Sequence, residues 1–446
     1  MKSKNINIFF LVVLSALSSY SQNRNLKKYT IEDLIALGIE NNTQVQINKT
    51  QISIAENNIY PGNADLLPTI SLNANAQYAN NQTEAIIRTF QPQMPLLAID
   101  ESNVINQVYS AVVQADYQVL GGFSGKYRFK VLKKLKDVEM LQEQVTINGL
   151  VTNITELSVG IAKLQESEEL INSTIDNIKS RLSKVEERKR LGQATGLNIL
   201  QIKTNLNDEN SRLINIQLQK RNLMKQLNNL VGLAIEEDYD LEVNYVKNNE
   251  FDYNISQKKL EENNPIFLLS KLNVDVKSLD YKIANSAFLP KVSVFANYGY
   301  VRIQDEIQPL AEIDNIGYTL GARFTLDLFN GSKNNRRLQS AKLENDIAVL
   351  NQVDVLRNLS TALNQEIFRQ KTLMVQLEIE EDNLKTFEEN FSRSEDLFFN
   401  GQLTLIDLKD AQNSLINAKF KISELKYDVL LSDVIIKSYT GELFNN

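Results

Sequence analysis

The sequence predicts a mainly helical chain with a little membrane-type β structure, written as two copies of one helix-strand-strand-helix-helix unit. Three observations carry that expectation: landmarks that recur at constant offset, an apolar seam of helical period between them, and four short segments of period two. Composition agrees with it. Sixteen glycines and seven prolines in 446 residues are few chain-breakers, which favours very long helices over a loop-rich domain or a many-stranded sandwich.

Residues 1–21 read as a secretory signal rather than structure. Lys2 and Lys4 precede the apolar run Ile8–Leu17, and Ser19 and Ser21 fit the small-residue positions before cleavage at Gln22. The run is too short for a membrane anchor, which needs ~20 apolar residues.

The duplication follows. Glu40-Asn41-Asn42 recurs as Glu262-Asn263-Asn264, Leu67-Pro68 as Leu289-Pro290 and Tyr78 as Tyr300, all at an offset of 222. From Gly122/Gly331 onward the offset is 209, through Gly192/Gly401 to Gly232/Gly441. The drop of 13 places a longer loop in the first copy. The first copy is then 22–245, with helices over 31–60, 123–191 and 197–231 and strands over 66–80 and 104–120. The second is 246–446, with helices over 256–286, 332–399 and 404–440 and strands over 288–302 and 315–329.

The opening helix of the first copy has a start signal, Thr30 and Asp33 being spaced as a capping box. The long helices carry the heptad seam Leu150, Ile154, Leu157, Ile161, Leu164, Ile171, Ile175, Ile178, Leu182 and Val185, interrupted only at Glu168. That period implies a left-handed coiled coil. Gly232 and Gly441 are placed as C-caps. In the strands, Ile70, Leu72, Ala74, Ala76 and Tyr78 alternate with polar residues, as do Val113–Val119, Val292–Tyr300 and Tyr318–Leu328. Asp116, Arg323 and Asp327 fall on the polar faces, which suits a water-filled lumen better than a soluble core. Four strands cannot close a membrane barrel, which starts at about eight, so two chains would pool eight or three would pool twelve. The loops Asn80–Asn103, with Pro92 and Pro95, and Arg302–Asp314, with Pro309, are expected to face outward.

Several function classes are excluded by inventory. With no Cys and no His there are no disulfides, thiolate metal sites, catalytic cysteines or Ser-His-Asp triads. Forty-eight basic against 55 acidic residues give a net charge of −7 and argue against a nucleic-acid partner. No enzyme activity, cofactor or metal is expected. The competing reading is a secreted structural or adhesive coiled coil, which explains the signal and the heptads but not the four alternating segments.

Taken together, the strand-to-helix turns Leu120-Gly121-Gly122 and Leu328-Phe329-Asn330-Gly331-Ser332, and the far turns Leu191–Asn198 and Asn400–Leu408, resemble the TolC-type outer-membrane efflux family. The resemblance implies a homotrimer with a twelve-stranded barrel in the outer membrane of a Gram-negative cell, continued by an α-helical periplasmic tunnel. It also implies an exit duct for tripartite efflux or type I secretion, with a periplasmic adaptor and an inner-membrane pump as partners. Adaptor docking falls on Gly192, Thr195, Gly196, Gly401, Thr404 and Leu405. Asp407 and Asp410 match the family's acidic ring at the tunnel entrance. The family's gate latch, an Asp with a Tyr and an Arg, corresponds to Asn198, Phe398 and Leu403. A polar latch is therefore expected to be missing, with closure by apolar packing instead.

Overall fold

The structure, a computed structural model, describes residues 27–87, 97–243, 245, 251–306 and 312–443. The expected leader and Pro92, Pro95 and Pro309 lie outside them. Two compact units result, and they cut across the duplication: one takes residues up to Ile47, Glu143–Pro265 and the chain from Asn358, the other Asn48–Gln142 and Ile266–Arg357.

The second unit holds a four-stranded antiparallel sheet in the order β2-β3-β5-β6, with β2 Thr69–Ile87, β3 Leu97–Gly121, β5 Lys291–Asp305 and β6 Glu312–Thr325. β2 and β3 are 19 and 25 residues long, and they continue into the segment expected to be an outer loop, pairing as far as Ile87 with Leu97. β6 ends at Thr325, so Asp327, expected on a strand's polar face, lies beyond the strand. The register puts the apolar positions in rows. Leu72, Val113, Tyr298 and Tyr318 align across all four strands, as do Ile70, Ala115, Ala296 and Leu320. This face is bare in the single chain: Ile70 is 74% exposed, Leu320 71% and Tyr318 77%. Opposite it lie Asp116, Gln114, Asn297, Thr319 and Arg323, whose guanidinium sits 5.6 Å above the Phe295 ring. That ring also lies over Gly321, where a Cβ would meet it at 2.3 Å.

The first unit is helical. Its elements begin with β1 Lys27–Thr30 and α1 Ile31–Asn41, followed in the other unit by most of α2 Thr43–Asn58. α3 Ser124–Arg190 and α7 Lys333–Phe399, 67 residues each, contribute to both units. α4 Gly196–Val231, β4 Tyr239–Glu242, α5 Tyr253–Asn263 and α8 Leu405–Thr440 complete the helical unit, and α6 Pro265–Asn285 belongs with the sheet. The seam residues bury as expected, with Ile154, Ile161, Ile171 and Ile178 at 0–1% exposure. The break at Glu168 has a reason: its carboxylate accepts hydrogen bonds from Gln217, at 2.9 Å, and Lys220 of α4.

The single opening helix expected in each copy is two helices. Asn42 leaves helical geometry at ψ 123°, donates from Nδ2 to the Leu230 carbonyl at 3.1 Å and accepts from the Gln44 N–H at 2.9 Å. Asn264 breaks α5 from α6 in the same way, with Pro265 next and a 3.0 Å bond to the Tyr439 carbonyl. Each asparagine thus ends one helix and ties it to the C-terminus of α4 or α8. The parallel pair β1–β4, which the sequence reading lacked, closes the same core through Tyr29 and Tyr239, whose rings meet edge to face at 5.2 Å. Among the described residues no helix is long and apolar enough to cross a membrane.

Candidate functional site

The tip of the helical unit is built from two matching turns. α3 ends at Arg190, and the N–H groups of Gly192 and Gln193 bond back to the carbonyls of Lys189 and Arg188 at 3.0 and 2.8 Å. α7 ends at Phe399, and Gly401 and Gln402 bond to Phe398 and Leu397 at the same two distances. Gly192 and Gly401 sit at φ +76° and +77°, and a Cβ on either would meet nothing within 4 Å. The glycines are there for backbone handedness, not for space.

Three residues after each glycine a threonine caps the next helix. Thr195 accepts from the Asn198 N–H at 3.3 Å and donates to its Oδ1 at 2.8 Å. Thr404 accepts from the Asp407 N–H at 3.2 Å and donates to its Oδ2 at 2.6 Å. Asn198 and Asp407 therefore occupy one structural position in two copies, and both have a local role as the third helical residue of a capping arrangement. Asp407 is exposed. Asp410, one turn on and also exposed, carries no such cap role; helical spacing places it on the same face.

Beneath the turns the four helices share one apolar cluster: Ile178 and Val185 of α3, Ile202 of α4, Phe398 of α7 and Leu408 of α8, flanked by Leu403 and Leu405. Phe398 is 7% exposed and Leu408 fully buried, so Phe398 packs inside its own chain. Lys184 lies 5.0 Å over the Phe399 ring, and Arg188 donates to the Phe399 carbonyl at 2.7 Å, closing the end of α7. The expected gate trio is thus distributed: Asn198 in a cap, Phe398 in the core, Leu403 on its flank. Gly196 and the two threonines are exposed, and Leu405 lines a groove.

That groove, about 250 Å³ between α4 and α8, has Arg181 at its base and Lys409 and Ile406 at its lip. Arg181 is 3% exposed, bonds Gln412 through Nη1 at 2.7 Å and approaches Glu395 at 3.6 Å, while Nε and Nη2 have no hydrogen-bond partner. Burial lowers its pKa, and Glu395 only partly opposes that. Sequence reasoning missed Arg181, although its charge at a position three after Ile178, beside the seam, was a visible signal. It placed Leu191, Leu197 and Ile406 in the far turns but gave them no role; they stand exposed around the tip, at 62–68%. No group of three potential metal ligands gathers among the described residues.

Residues 257–442 match the sequence profile of the family described as outer membrane efflux protein. No curated protein matches the chain significantly. Among solved structures, the chain is similar to CusC, described for its transmembrane channel formation, at 15% identity with TM-score 0.76 over 95% of both chains. VceC of Vibrio cholerae, an outer membrane protein, matches at 15% identity and TM-score 0.73, covering 92% of this chain and 96% of that one. The CmeC outer membrane channel of Campylobacter jejuni gives 16%, 0.75, 92% and 85%. The resemblance read from the turns is therefore supported twice over: residues 257–442 match the outer membrane efflux protein family, and the chain shares the fold of the outer-membrane channels along nearly its whole length.

Proposed function

We propose that this chain is one third of an outer-membrane exit duct, passing substrates delivered by an inner-membrane pump and periplasmic adaptor to the cell exterior. The observation that carries this reading is the sheet. It has a bare apolar face, a polar opposite face, and edges β2 and β6 with no partner among the described residues. An apolar face of that size in water calls for a covering, and open edges are not tolerated in lipid. Pairing β6 of one copy with β2 of the next satisfies both, and three copies give a closed barrel of twelve strands. The coiled-coil alternative leaves the apolar face without a role.

Within this reading the tip is the periplasmic entrance. Asp407 and Asp410 form rings of three carboxylates each around the axis, attracting cations and repelling anions. The exposed turns around Gly192, Thr195, Gly196, Gly401, Thr404 and Leu405 meet the adaptor, with Leu191, Leu197 and Ile406 supplying apolar contact. Closure rests on packing between whole tips, each stiffened by the cluster around Phe398 and Leu403, with Asn198 standing where a charged latch would be. The native chain has no cysteine, so introduced pairs report cleanly. Cysteines scanned along Ser71, Asn73 and Asn75 of β2 against Thr319→Cys on β6 are expected to yield a covalent trimer in one register on a non-reducing gel. Monomer alone at every register contradicts barrel closure.

A further inference from the structure

The sheet-bearing unit carries positive charge that the chain's acidic balance does not lead one to expect. Positions 124–136, opening α3, hold Lys126, Arg128, Lys130, Lys133, Lys134 and Lys136 without one acidic residue. Positions 333–342, opening α7, hold Lys333, Arg336, Arg337 and Lys342, again with none, in a chain of net charge −7. Both runs sit at helix N-termini, where the exposed N–H groups and the macrodipole favour acids and disfavour cations. Neither first turn contains an acid. Helix formation therefore does not account for these residues.

Internal pairing accounts for only some of them. Arg128 pairs with Asp65, Lys134 with Asp275 at 3.0 Å and Lys136 with Glu56 at 2.9 Å. Lys126, Lys130, Lys133, Lys333, Arg337 and Lys342 are exposed, and among the described residues none has an acidic side chain within 4.0 Å. Between α3 and α6 a groove of about 310 Å³ is lined by Lys130, Lys133, Lys134 and Lys282 against only Asp137 and Asp275.

Large apolar side chains stand just before both runs. Phe123 is 57% exposed, Leu328 90% and Phe329 84%. Phe123 is held at φ +67°, as its counterpart Ser332 is at +64°, so the turn that follows each strand imposes this conformation in both copies. Each run starts a few residues past a strand end, Gly121 of β3 or Thr325 of β6. In both copies the order along the chain is therefore apolar strand face, exposed apolar anchor, then cations. That is the order of groups met on leaving a bilayer through its headgroup layer.

We propose that the two basic runs bind anionic phospholipid headgroups in the periplasm-facing leaflet. Phe123, Leu328 and Phe329 lie at the acyl boundary, and the lysines and arginines take the phosphates. The inference rests on the barrel reading, and its test separates the two. The full, signal-cleaved protein is reconstituted in vesicles of pure phosphatidylcholine and checked for alkali-resistant insertion. It is then placed in nanodiscs with equal phosphatidylglycerol and phosphatidylcholine, and the lipids retained on release are counted by native mass spectrometry. The expected result is roughly tenfold enrichment of phosphatidylglycerol, from several cations each adding a few-fold. The enrichment is lost in a Lys126→Gln/Lys130→Gln/Lys133→Gln/Arg336→Gln/Arg337→Gln variant that still inserts, and it is kept when the three lysines become arginine. Insertion with no preference for phosphatidylglycerol overturns the lipid site alone. Failure to insert overturns the barrel and this proposal with it. Displacement of phosphatidylglycerol by 10 mM inorganic phosphate would make the runs a free-anion site. A change in single-channel conductance with unaltered lipid retention would place the lysines on the water path; either result overturns the proposal.

Discussion

Arg181 has two nitrogens without a hydrogen bond in a buried position, with Gln412 bonding the third and Glu395 at 3.6 Å from Nη2 as its ion-pair partner. A buried guanidinium so poorly matched contributes little net stability, because desolvation offsets what its partners return. Replacing Arg181 with Met, together with Gln412→Leu, is expected to leave the melting temperature unchanged or raise it. Arg181→Ala, which opens a cavity, is expected to cost about 2–4 kcal/mol and lower it by several degrees. A large drop in the Met/Leu pair would mean that the guanidinium is a structural keystone after all. Asp407 shows the opposite economy at this scale. Its cap with Thr404 is a sufficient structural reason for an acid there, so its presence alone does not argue for a charged ring. Asp410 lacks that excuse, and it is the residue on which the ring reading leans.

At the scale of elements, the pairing of α3 with α4 supplies a pH-dependent contact. Burial pushes the Glu168 carboxyl up, but hydrogen bonds from Lys220 and Gln217 and the Lys220 charge outweigh it and hold it below its ordinary range. A carboxylate lowered in the folded state adds stability that is fully present above the unfolded pKa and is lost as pH falls through the folded one. Glu168→Gln is therefore expected to flatten the decline of thermal stability below about pH 4.5 while lowering stability at neutral pH. An unchanged acid limb in melts at pH 3 to 6 would contradict this. The seam around Glu168 was legible in the sequence because its period of 3.5 is set by burial along one helix face, and the break marked the polar contact without naming its partner. The Asn41-Asn42 and Asn263-Asn264 repeats were legible as landmarks only. That Asn42 and Asn264 end helices and tie them to α4 and α8 depends on carbonyls near 190 and 175 positions away, which no local pattern encodes. The β1–β4 pair escaped notice because four-residue strands show no period, and the strand ends moved because pairing in β2 and β3 outruns the alternation.

For the whole molecule, a four-stranded sheet with two open edges and an apolar face is an incomplete object, and the proposed pairing of β6 with β2 of the next copy would complete it. Duplication makes the chain economical, since one helix-strand design is used twice; in the proposed trimer it would be used six times. Less of the site than of the fold was legible, for a physical reason. Rings, gates and docking faces are properties of the assembled copies, whereas turns and caps are properties of one. Phe398 illustrates the limit: one copy shows its ring in the core of its own tip, whereas a gate is formed between copies. The channel itself is tested most directly by planar-bilayer conductance of the purified protein without residues 1–21, with the reversal potential read across a salt gradient. Discrete, cation-selective openings whose selectivity falls in an Asp407→Asn/Asp410→Asn variant are expected. A folded, membrane-inserted oligomer that passes no current at any applied voltage would contradict that expectation.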